Sequence, residues 1–442
     1  MALPLPCKKF MMAQMSDPFS KILKINASVI TIGDELLIGQ VIDTNSAWIA
    51  QELNKTGIWL RRRVSVGDSK EEIIRALDEE SRDTPIILIT GGLGPTADDI
   101  TKPVLCEYFG ASLVINEEAL ANVKAIFEKL NRPLIERNLK QAEVPDTCTV
   151  IPNKRGTAPG MWFEKDGKIF VSMPGVPHEM KGMMTDYVIP HLQQYFTFPF
   201  IDHRTLITFG IGESFLAETI KDWEVQLPGH LKLAYLPNYG MVRLRITGSD
   251  SNSNRLQEIL NSQFEKLKML VAEWLVAAED TTLAQVIGKM LQQDKLTLST
   301  AESCTGGYIA HLITSVAGSS AWYKGSVVSY ANEAKENILG VQRNTLLSAG
   351  AVSEDTVKEM VHGVIAKMNT DYAVATSGIM GPDGGTTQKP VGTVWIAAGS
   401  RNNIITAQFH FRHNRARNIE MSAHYALNLL RKLMVEEGIL LK

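Results

Sequence analysis

Apolar and polar positions repeat with two different periods along the first half of the chain. Short runs rich in β-branched residues, SVITIG from Ser28, LRRRVSV from Leu60 and PIILIT from Pro85, are separated by stretches with apolar residues three and four positions apart. Runs of the first kind are typical of buried strands, and those of the second kind of amphipathic helices. Strands that alternate with single helices form parallel sheets. The pattern therefore predicts an α/β domain over residues 26–196.

The same alternation returns in the last third of the chain. Strand-like runs such as LTLSTAE, DYAVATSG and VGTVWIAAG are separated by helical stretches, so residues 276–442 are predicted to form a second α/β domain. Between the two, residues 197–275 hold three short strand patterns and two helices, which predicts a small α+β linker domain. Residues 1–25 show neither period and are interpreted as an N-terminal tail. The predicted fold class is α/β and multi-domain, with two three-layer α/β domains joined by a small α+β domain.

The amino-acid composition limits the classes of function that the protein could have. Hydrophobic residues make up 45% and charged residues 21% of the 442 residues, with a formal net charge of -3, which is typical of a globular protein without a global positive field for nucleic acid. No window approaches the roughly 20 apolar residues of a membrane span or the form of a signal peptide. The four cysteines show no metal-binding or disulfide spacing. These features predict a cytoplasmic protein with small-molecule partners.

The turn after the first strand of the C-terminal domain concentrates small and hydroxyl-bearing residues. It reads ESCTGG, in which Glu302 and Ser303 precede the pair Gly306 and Gly307. Backbone N–H groups converge at such a helix start, which suits a phosphate or an oxyanion. Alternatively, the hydroxyl groups cap the helix and the glycines allow strand and helix to pack closely. The motif alone leaves both interpretations open.

The segment SYANEAKENILG carries a candidate base for a serine nucleophile. Tyr330 ends a strand, and Lys335 lies five residues later in the following helix, so both could face one pocket. No histidine of this domain lies in a triad-like context, and a desolvated lysine can replace one. The alternative is a solvated helix lysine and a strand-end aromatic residue.

A glycine-rich loop and a basic cluster follow. The segment SGIMGPDGGTTQKPVGTVW holds five glycines before Trp395, a density that lets backbone pack against a ligand, although an ordinary hairpin would also tolerate it. In FRHNRARN, Arg415 could hold a phosphate through two parallel N–H groups, although such clusters are often merely solvated.

Five segments in order, TAESCTGG, YKGSVVSYANEAKENILGV, GAVSEDTV, DYAVATSGIMGPDGG and KPVGTVW, resemble the CinA family, in particular its PncC-type nicotinamide-nucleotide amidohydrolase domain. The resemblance covers the whole C-terminal segment. It implies hydrolysis of nicotinamide mononucleotide (NMN) to nicotinate mononucleotide and ammonia in pyridine nucleotide salvage, without a cofactor.

The resemblance also implies site residues. Ser303 would be the nucleophile, with Tyr330 and Lys335 activating it. The residues implied to bind the substrate are Thr305, Gly306, Gly307, Asn332, Gly378, Gly381, Gly392, Thr393 and Arg415. Of these, Arg415 and Thr305 would hold the ribose phosphate. Family members often carry a Gly-Asp-Arg turn where this chain has His413, Asn414 and Arg415. Cys304 is a rival nucleophile, but it lacks a base, and adjacent side chains after a strand tend to point to opposite faces.

The motifs GDELLIG, DTNS, TGGLGPTADDIT, GTAPG and MPGVPHEM resemble the N-terminal CinA domain, which is related to molybdopterin-binding proteins of the MogA and MoeA type. Glycines allow backbone to approach a phosphate, and carboxylates suit Mg²⁺ or a similar divalent metal. The predicted nucleotide site comprises Gly33, Gly91, Gly92, Gly94 and Thr96. The predicted metal ligands are Asp34, Glu35, Asp98 and Asp99. The resemblance implies a second, metal-dependent activity as an ADP-ribose pyrophosphatase.

Other interpretations remain at this stage. The N-terminal domain could bind a pterin, or it could be a structural platform whose acidic residues cap helices. The middle segment, with GIGES and YLPNYGMVRLRITG, is similar to the family's KH-like module but lacks a basic stripe, so RNA binding is not predicted. A homodimer through the N-terminal domain is expected. The non-enzymatic alternative is an interaction protein linked to competence or DNA damage.

Overall fold

The chain is described from a computed structural model that covers residues 25–96 and 98–441. The tail predicted over residues 1–25 lies outside the described residues, except for Ile25. By internal contacts, the chain divides into two compact units. The first runs to Asp202 and includes Gly248–Ile259, and the second combines His203–Thr247 with the chain from Leu260 onward. The segment predicted as a linker domain thus contributes to both units.

The N-terminal region forms one mixed sheet with helices on both faces. Its strands are β1 Asn26–Ile32, β2 Trp59–Val66, β3 Ile86–Thr90, β4 Leu113–Ile115, β5 Glu143–Pro145, β6 Thr149–Ile151, β7 Gly160–Lys165 and β8 Lys168–Met173. Its α-helices are α1 Asp34–Leu37, α2 Thr44–Lys55, α3 Lys70–Asp83, α4 Thr101–Phe109, α5 Glu117–Lys129, α6 Glu136–Leu139, α7 Pro177–Met183 and α8 Ile189–Tyr195. A 3-10 turn, Lys140–Ala142, follows α6, and a π-helical segment, Met184–Val188, connects α7 to α8.

The sheet order is β2-β1-β3-β8-β7-β6, while β4 and β5 pair separately. Strands β2, β1, β3 and β8 run parallel, as the alternating pattern predicts, and β7 and β6 add antiparallel pairs at the other edge. Alternate residues of β1 enter different cores. Val29 packs with α2, α7 and α8, whereas Ile30 packs with α3 and α4. Because both faces of the sheet are covered, the region has three layers.

The middle region is a four-stranded sheet with two helices. Its elements are β9 Phe200–Phe209, α9 Glu213–Val225, β10 Leu231–Asn238, β11 Met241–Asp250, α10 Ser253–Leu270 and β12 Leu275–Ala277, with a 3-10 turn at Ala272–Trp274. The strand order is β10-β11-β9-β12. This is the small α+β arrangement that the short strand patterns predict.

The C-terminal region is a second three-layer α/β fold. Its elements are α11 Leu283–Gln293, β13 Leu298–Glu302, α12 Tyr308–Thr314, β14 Tyr323–Val328, α13 Asn332–Leu339, α14 Arg343–Ser348, α15 Glu354–Met368, β15 Tyr372–Gly378, β16 Thr393–Ser400, β17 Ile404–His410 and α16 Arg415–Glu436, with a 3-10 turn at Ser319–Ala321. Helices α11, α12 and α16 pack on one face of the sheet and α15 on the other. The predicted multi-domain α/β class is therefore confirmed.

The sheet order β14-β13-β15-β16-β17 determines where the C-terminal site lies. Strand β13 is parallel to both neighbours, while β16 and β17 are antiparallel. The carboxyl ends of β13, β14 and β15 therefore meet at one edge, which is where open α/β sheets present ligand sites. No helix in the described part of the chain is long and apolar enough to cross a membrane.

Candidate active site

Ser303 lies in the turn between β13 and α12 and is almost fully buried. Its backbone N–H donates to the carbonyl of Thr376 at 3.0 Å, which ties the turn to the neighbouring strand β15. Gly306 and Gly307 follow with φ angles of 61° and 98°. These left-handed conformations favour glycine, and they turn the chain sharply from the strand into the helix. The turn thus holds Ser303 rigidly at the edge of the sheet.

Lys335 is the nearest basic side chain to the Ser303 hydroxyl. It lies in α13 and is 1% exposed. Its Nζ lies 3.1 Å from Ser303 Oγ, 2.9 Å from the carbonyl oxygen of Ser329 and 3.3 Å from that of Tyr330. Burial lowers the pKa of Lys335 below the ordinary lysine value of 10.5. The amine can therefore exist in its neutral form.

The three contacts of Nζ are all with oxygen atoms, so they fit an ammonium that donates to each of them and also fit a neutral amine. The two carbonyl oxygens can only accept, so each takes an N–H from Lys335. A neutral amine has two N–H groups and one lone pair, and the third direction faces Ser303 Oγ. The lone pair can therefore accept the hydroxyl proton directly. Among the described residues, no acidic side chain forms an ion pair with Lys335 that would favour the charged form.

Tyr330 contacts Lys335, but its hydroxyl group forms a hydrogen bond with a different residue, Arg415. The side chain is 63% exposed, and its phenolic oxygen accepts a hydrogen bond from Nη2 of Arg415 at 2.9 Å. Nη1 of Arg415 donates to the carbonyl of Gly381 at 2.8 Å. Tyr330 contacts Lys335 through its backbone carbonyl and not through its hydroxyl. Because Lys335 contacts Ser303 directly, Tyr330 is not needed to carry a proton between them.

The carboxylate of Glu302 fills the start of helix α12. Glu302 is fully buried, and Oε2 accepts from the backbone N–H groups of Gly307 and Ile309, each at 3.0 Å. Oε1 accepts from the N–H of Ala310 at 2.9 Å, and the hydroxyl of Thr305 donates to Oε2 at 2.8 Å. A buried negative charge therefore already occupies the positive end of the helix.

This arrangement engages polar groups of three residues that were predicted to bind substrate. The N–H of Gly307 and the hydroxyl of Thr305 are engaged by Glu302, and Gly306 N donates to the Ser303 carbonyl at 3.2 Å. Among the described residues of the turn, the backbone N–H of Thr305 has no acceptor, and that of Cys304 lies beside its own thiol. The N–H groups of Gly306 and Gly307 are engaged within the turn, so the candidates for oxyanion donors are those of Cys304 and Thr305.

The glycine-rich loop contributes mainly to packing. A Cβ on Gly392 would lie 1.8 Å from the carbonyl oxygen of Phe411, and one on Gly378 would lie 2.8 Å from the side chain of Val394. Thr393 is buried, and its hydroxyl donates to the carbonyl of Pro390 at 2.7 Å. These residues hold the strand ends together. Of the predicted loop residues, Gly381 lies beside Arg415, and the predicted Asn332 is exposed at the start of α13.

Three family models match the chain in consecutive segments: a probable molybdopterin binding domain over residues 28–194, the damage-inducible protein CinA KH domain over 203–277, and the CinA C-terminal domain over 280–434. A CinA-like protein of Cytophaga hutchinsonii is 47% identical, over 93% of this chain and 99% of its own. The chain belongs to the CinA family. The resemblance predicted from the motifs is confirmed.

Other relatives carry names that refer to competence and damage. A putative competence-damage inducible protein of Caldicellulosiruptor saccharolyticus is 38% identical over 92% of this CinA family chain and 99% of its own. Among solved structures, the competence/damage inducible protein CihA of Agrobacterium tumefaciens is 40% identical and covers 34% of this chain and 93% of its own, with a TM-score of 0.34.

Two CinA motifs of the N-terminal region, GDELLIG and TGGLGPTADDIT, follow the neighbouring parallel strands β1 and β3. Gly91 and Gly92 have φ angles of 114° and 64°, and a Cβ on Gly91 would lie 2.2 Å from the carbonyl oxygen of Ile32. The carboxylate of Asp99 accepts from the N–H groups of Gly94 and Thr96 at 2.8 and 2.9 Å, and also from the Thr96 hydroxyl. The Asp99 carboxylate thus binds the backbone of its own loop at Gly94 and Thr96. Gly33 precedes α1 with a φ of 155°.

Three of the four predicted metal ligands, Asp34, Glu35 and Asp98, lie around Asp68, a residue that the motifs did not single out. Asp68 and Asp34 exchange two hydrogen bonds between backbone N–H and carboxylate, each 3.1 Å long. Burial raises the pKa of Asp68, and the negative charges of Asp34, Glu35 and Asp98 add to the rise. Among the described residues, which omit Ala97 of this loop, no group of three or more His, Cys, Asp or Glu is arranged to hold a metal ion. The divalent metal site and the pyrophosphatase activity stay predictions.

The role of Glu302 was not predicted from the sequence, although its position in the chain indicates it. A carboxylate at the last position of a buried strand, a few residues before a glycine pair and a helix, can fold back onto the free N–H groups of that helix. Cys304, the rival nucleophile, is buried, and burial raises its pKa to about 12. Its thiol is therefore protonated near neutral pH, and a protonated thiol is a poor nucleophile.

Replacing Cys304 by alanine is expected to leave the amide hydrolysis that the family resemblance implies within about threefold of the parent, because the thiol is protonated and packed in the core. The measurement is the rate of ammonia release at saturating substrate. Cys304→Ser is the matched control for volume. Loss of activity in both variants, with an unchanged unfolding midpoint, would assign the nucleophile to Cys304.

Proposed function

We propose that the C-terminal site is a nicotinamide-nucleotide amidohydrolase that converts NMN and water into nicotinate mononucleotide and ammonia. The observation that carries the proposal is the 3.1 Å contact between Lys335 Nζ and Ser303 Oγ in a buried setting. A serine paired with a neutral amine is a machinery for acyl transfer. The nicotinamide substrate comes from the family resemblance of the segments that carry these residues.

The chemistry follows from the contacts of Lys335. The amine takes the proton of Ser303 Oγ while the oxygen attacks the carboxamide carbon of the substrate. The N–H groups of Cys304 and Thr305 are the candidate donors to the resulting oxyanion, and such a donor is worth about 2.7 to 4 kcal/mol in measured cases. The carbon–nitrogen bond then breaks, and Lys335 returns the proton to the leaving nitrogen. Ammonia departs, and an ester on Ser303 remains.

The ester is removed by the reverse sequence of proton transfers. Water attacks the ester carbon while Lys335 takes one of its protons. The carbon–oxygen bond to Ser303 breaks, and the proton returns to Oγ. The carboxylic acid is released and ionises. No metal or redox group takes part in these steps, since each proton is taken and returned by Lys335.

Arg415 fits the phosphate of a mononucleotide. Its guanidinium has five N–H donors, and it gives one to Gly381 and one to Tyr330. The remaining donors lie on an exposed side chain that contacts Tyr330, the residue whose backbone carbonyl binds Lys335, and they are the donors that we assign to the phosphate. The start of α12 is less suitable for an anion, because the Glu302 carboxylate already occupies it.

The test is the conversion of NMN by the purified chain, with ammonia and nicotinate mononucleotide both quantified. Turnover in the presence of EDTA, and incorporation of one ¹⁸O from labelled water into the product, is the expected result. A parallel assay with ADP-ribose and divalent metals tests the separate prediction for the N-terminal region. The absence of nicotinate mononucleotide at millimolar substrate would refute the amidohydrolase and favour the interaction-protein interpretation.

The pH dependence of the reaction follows from the state of Lys335. Only the neutral amine can accept the Ser303 proton, so activity is lost as the pH falls through the pKa of Lys335 in the folded protein. Burial lowers this pKa below 10.5. We therefore expect kcat/KM to rise about tenfold per pH unit on the acidic side and to level off below pH 10.5. The measurement is a rate profile, with the rate of Ser303→Ala subtracted at each pH. A profile that falls as the pH rises would contradict the assignment.

A further inference from the structure

Tyr330 combines high exposure with a fixed position. Its ring is 63% exposed, yet the residue is held at both ends. The backbone carbonyl accepts from Lys335 Nζ at 3.3 Å, and the phenolic oxygen accepts from Arg415 at 2.9 Å. Within the part of the chain that the structure describes, no aromatic ring stacks on Tyr330 and no cation lies over its face. Among the described residues, an open aromatic face therefore belongs to the residue whose backbone carbonyl contacts Lys335 and whose hydroxyl is held by Arg415.

The position of this ring relative to Ser303 matters for an aromatic amide. Ser303 Oγ and the Tyr330 carbonyl are each within hydrogen-bond length of the same nitrogen, Lys335 Nζ. A carboxamide carbon that reaches Ser303 Oγ brings with it the ring to which it is bonded. In NMN that ring is a pyridinium with a positive charge. The face of a phenol ring carries negative potential and attracts such a cation.

We propose that Tyr330 is a specificity-determining residue, whose ring face stacks on the cationic pyridinium of the substrate. The proposal rests on the proposed function and adds to it a reason for choosing a charged aromatic amide over a neutral one. Arg415 acts on this residue by holding the phenolic oxygen, so that the ring keeps its orientation when the site is empty. The hydroxyl itself is then an anchor for the ring and takes no part in proton transfer to Ser303.

The test separates the ring from the hydroxyl. Tyr330→Phe keeps the ring and loses the bond to Arg415, whereas Tyr330→Leu loses both. Each change is made in the Ser303→Ala background, and the dissociation constants of NMN and of its reduced, uncharged dihydropyridine form are measured by calorimetry. Tyr195→Leu is the matched control, because Tyr195 is another exposed tyrosine whose hydroxyl bonds to a neighbour, Glu164. It lies in the N-terminal region.

We expect Tyr330→Leu to weaken NMN binding about fivefold to thirtyfold, the range of a cation over an aromatic face. Tyr330→Phe is expected to recover affinity to within about threefold of the parent, and the reduced mononucleotide is expected to respond less than threefold to either change. In the active protein, Tyr330→Leu should raise KM more than it lowers kcat. The Tyr195 control should show no change.

Two results would overturn the assignment. Unchanged NMN affinity in Tyr330→Leu would show that the ring does not contact the substrate. A large loss of kcat in Tyr330→Phe with unchanged affinity would assign the hydroxyl to proton transfer. Both results are interpreted only when the parent protein releases ammonia from NMN. If the parent protein releases no ammonia from NMN, the proposed amidohydrolase activity is refuted. That result is distinct from a refutation of the role of Tyr330.

Discussion

Ser303→Ala is expected to lower kcat for ammonia release from NMN by about 10³ to 10⁶, which is the loss seen when a serine nucleophile is removed from an acyl-transfer enzyme. The physical reason is that no other nucleophile replaces Oγ, since the thiol of Cys304 is protonated and buried. Substrate binding should persist because the main-chain donors and Arg415 remain. The measurement is kcat under saturating NMN, with the dissociation constant determined separately.

Lys335→Met should show a loss of similar size, since the methionine fills the space without supplying a lone pair. The double variant of Ser303 and Lys335 should be no slower than either single variant, because the two residues act as one unit. Lys102→Met is the matched control. Lys102 is another buried lysine, and burial lowers its pKa to about 8, but it lies in the N-terminal region. Additive losses, or an equal loss in the Lys102 variant, would contradict the pairing.

Glu302→Leu is expected to destabilise the C-terminal region by about 3 to 5 kcal/mol. The change removes the acceptor of three backbone N–H groups, that of the buried Ile309 and those of the partly buried Gly307 and Ala310. An unsatisfied buried group costs about 1 to 3 kcal/mol. The loss of a buried charge offsets part of this cost. The measurement is urea unfolding, together with hydrogen exchange of the peptide that contains α12, whose amides should exchange faster than in the parent.

Glu302→Gln provides a graded comparison. Its amide keeps the volume and one acceptor oxygen but turns an NH₂ group toward N–H donors, so an intermediate loss of about 1 to 3 kcal/mol is expected. Glu436→Gln, at the exposed end of α16, should have no measurable effect. If the Leu variant unfolds at the parent's urea concentration and α12 keeps its protection, the carboxylate does not stabilise the turn.

Most strands and helices of the fold could be predicted from the sequence pattern. Buried strands such as Ile86–Thr90 are short apolar runs, and helices such as Glu117–Lys129 begin at a polar cap, here Asn116, whose side chain accepts from Ala119 N. These features depend on neighbours within a few positions of one another. The division of the middle segment between two compact units could not be read in the same way, because it depends on contacts between distant parts of the chain.

For the site, the sequence by itself determined which residue types were available and at which sheet edge they would lie. Ser303 follows strand β13, and Lys335 lies in the helix that follows strand β14. Because β13 and β14 are neighbouring parallel strands, the two residues come together at one edge of the sheet. The tertiary structure alone decided how each polar group is satisfied. The Tyr330 hydroxyl meets Arg415, 85 positions away. The Glu302 carboxylate occupies the helix start that was predicted to receive an anion. Buried polar groups must find partners wherever the fold places them, and sequence spacing does not encode that choice.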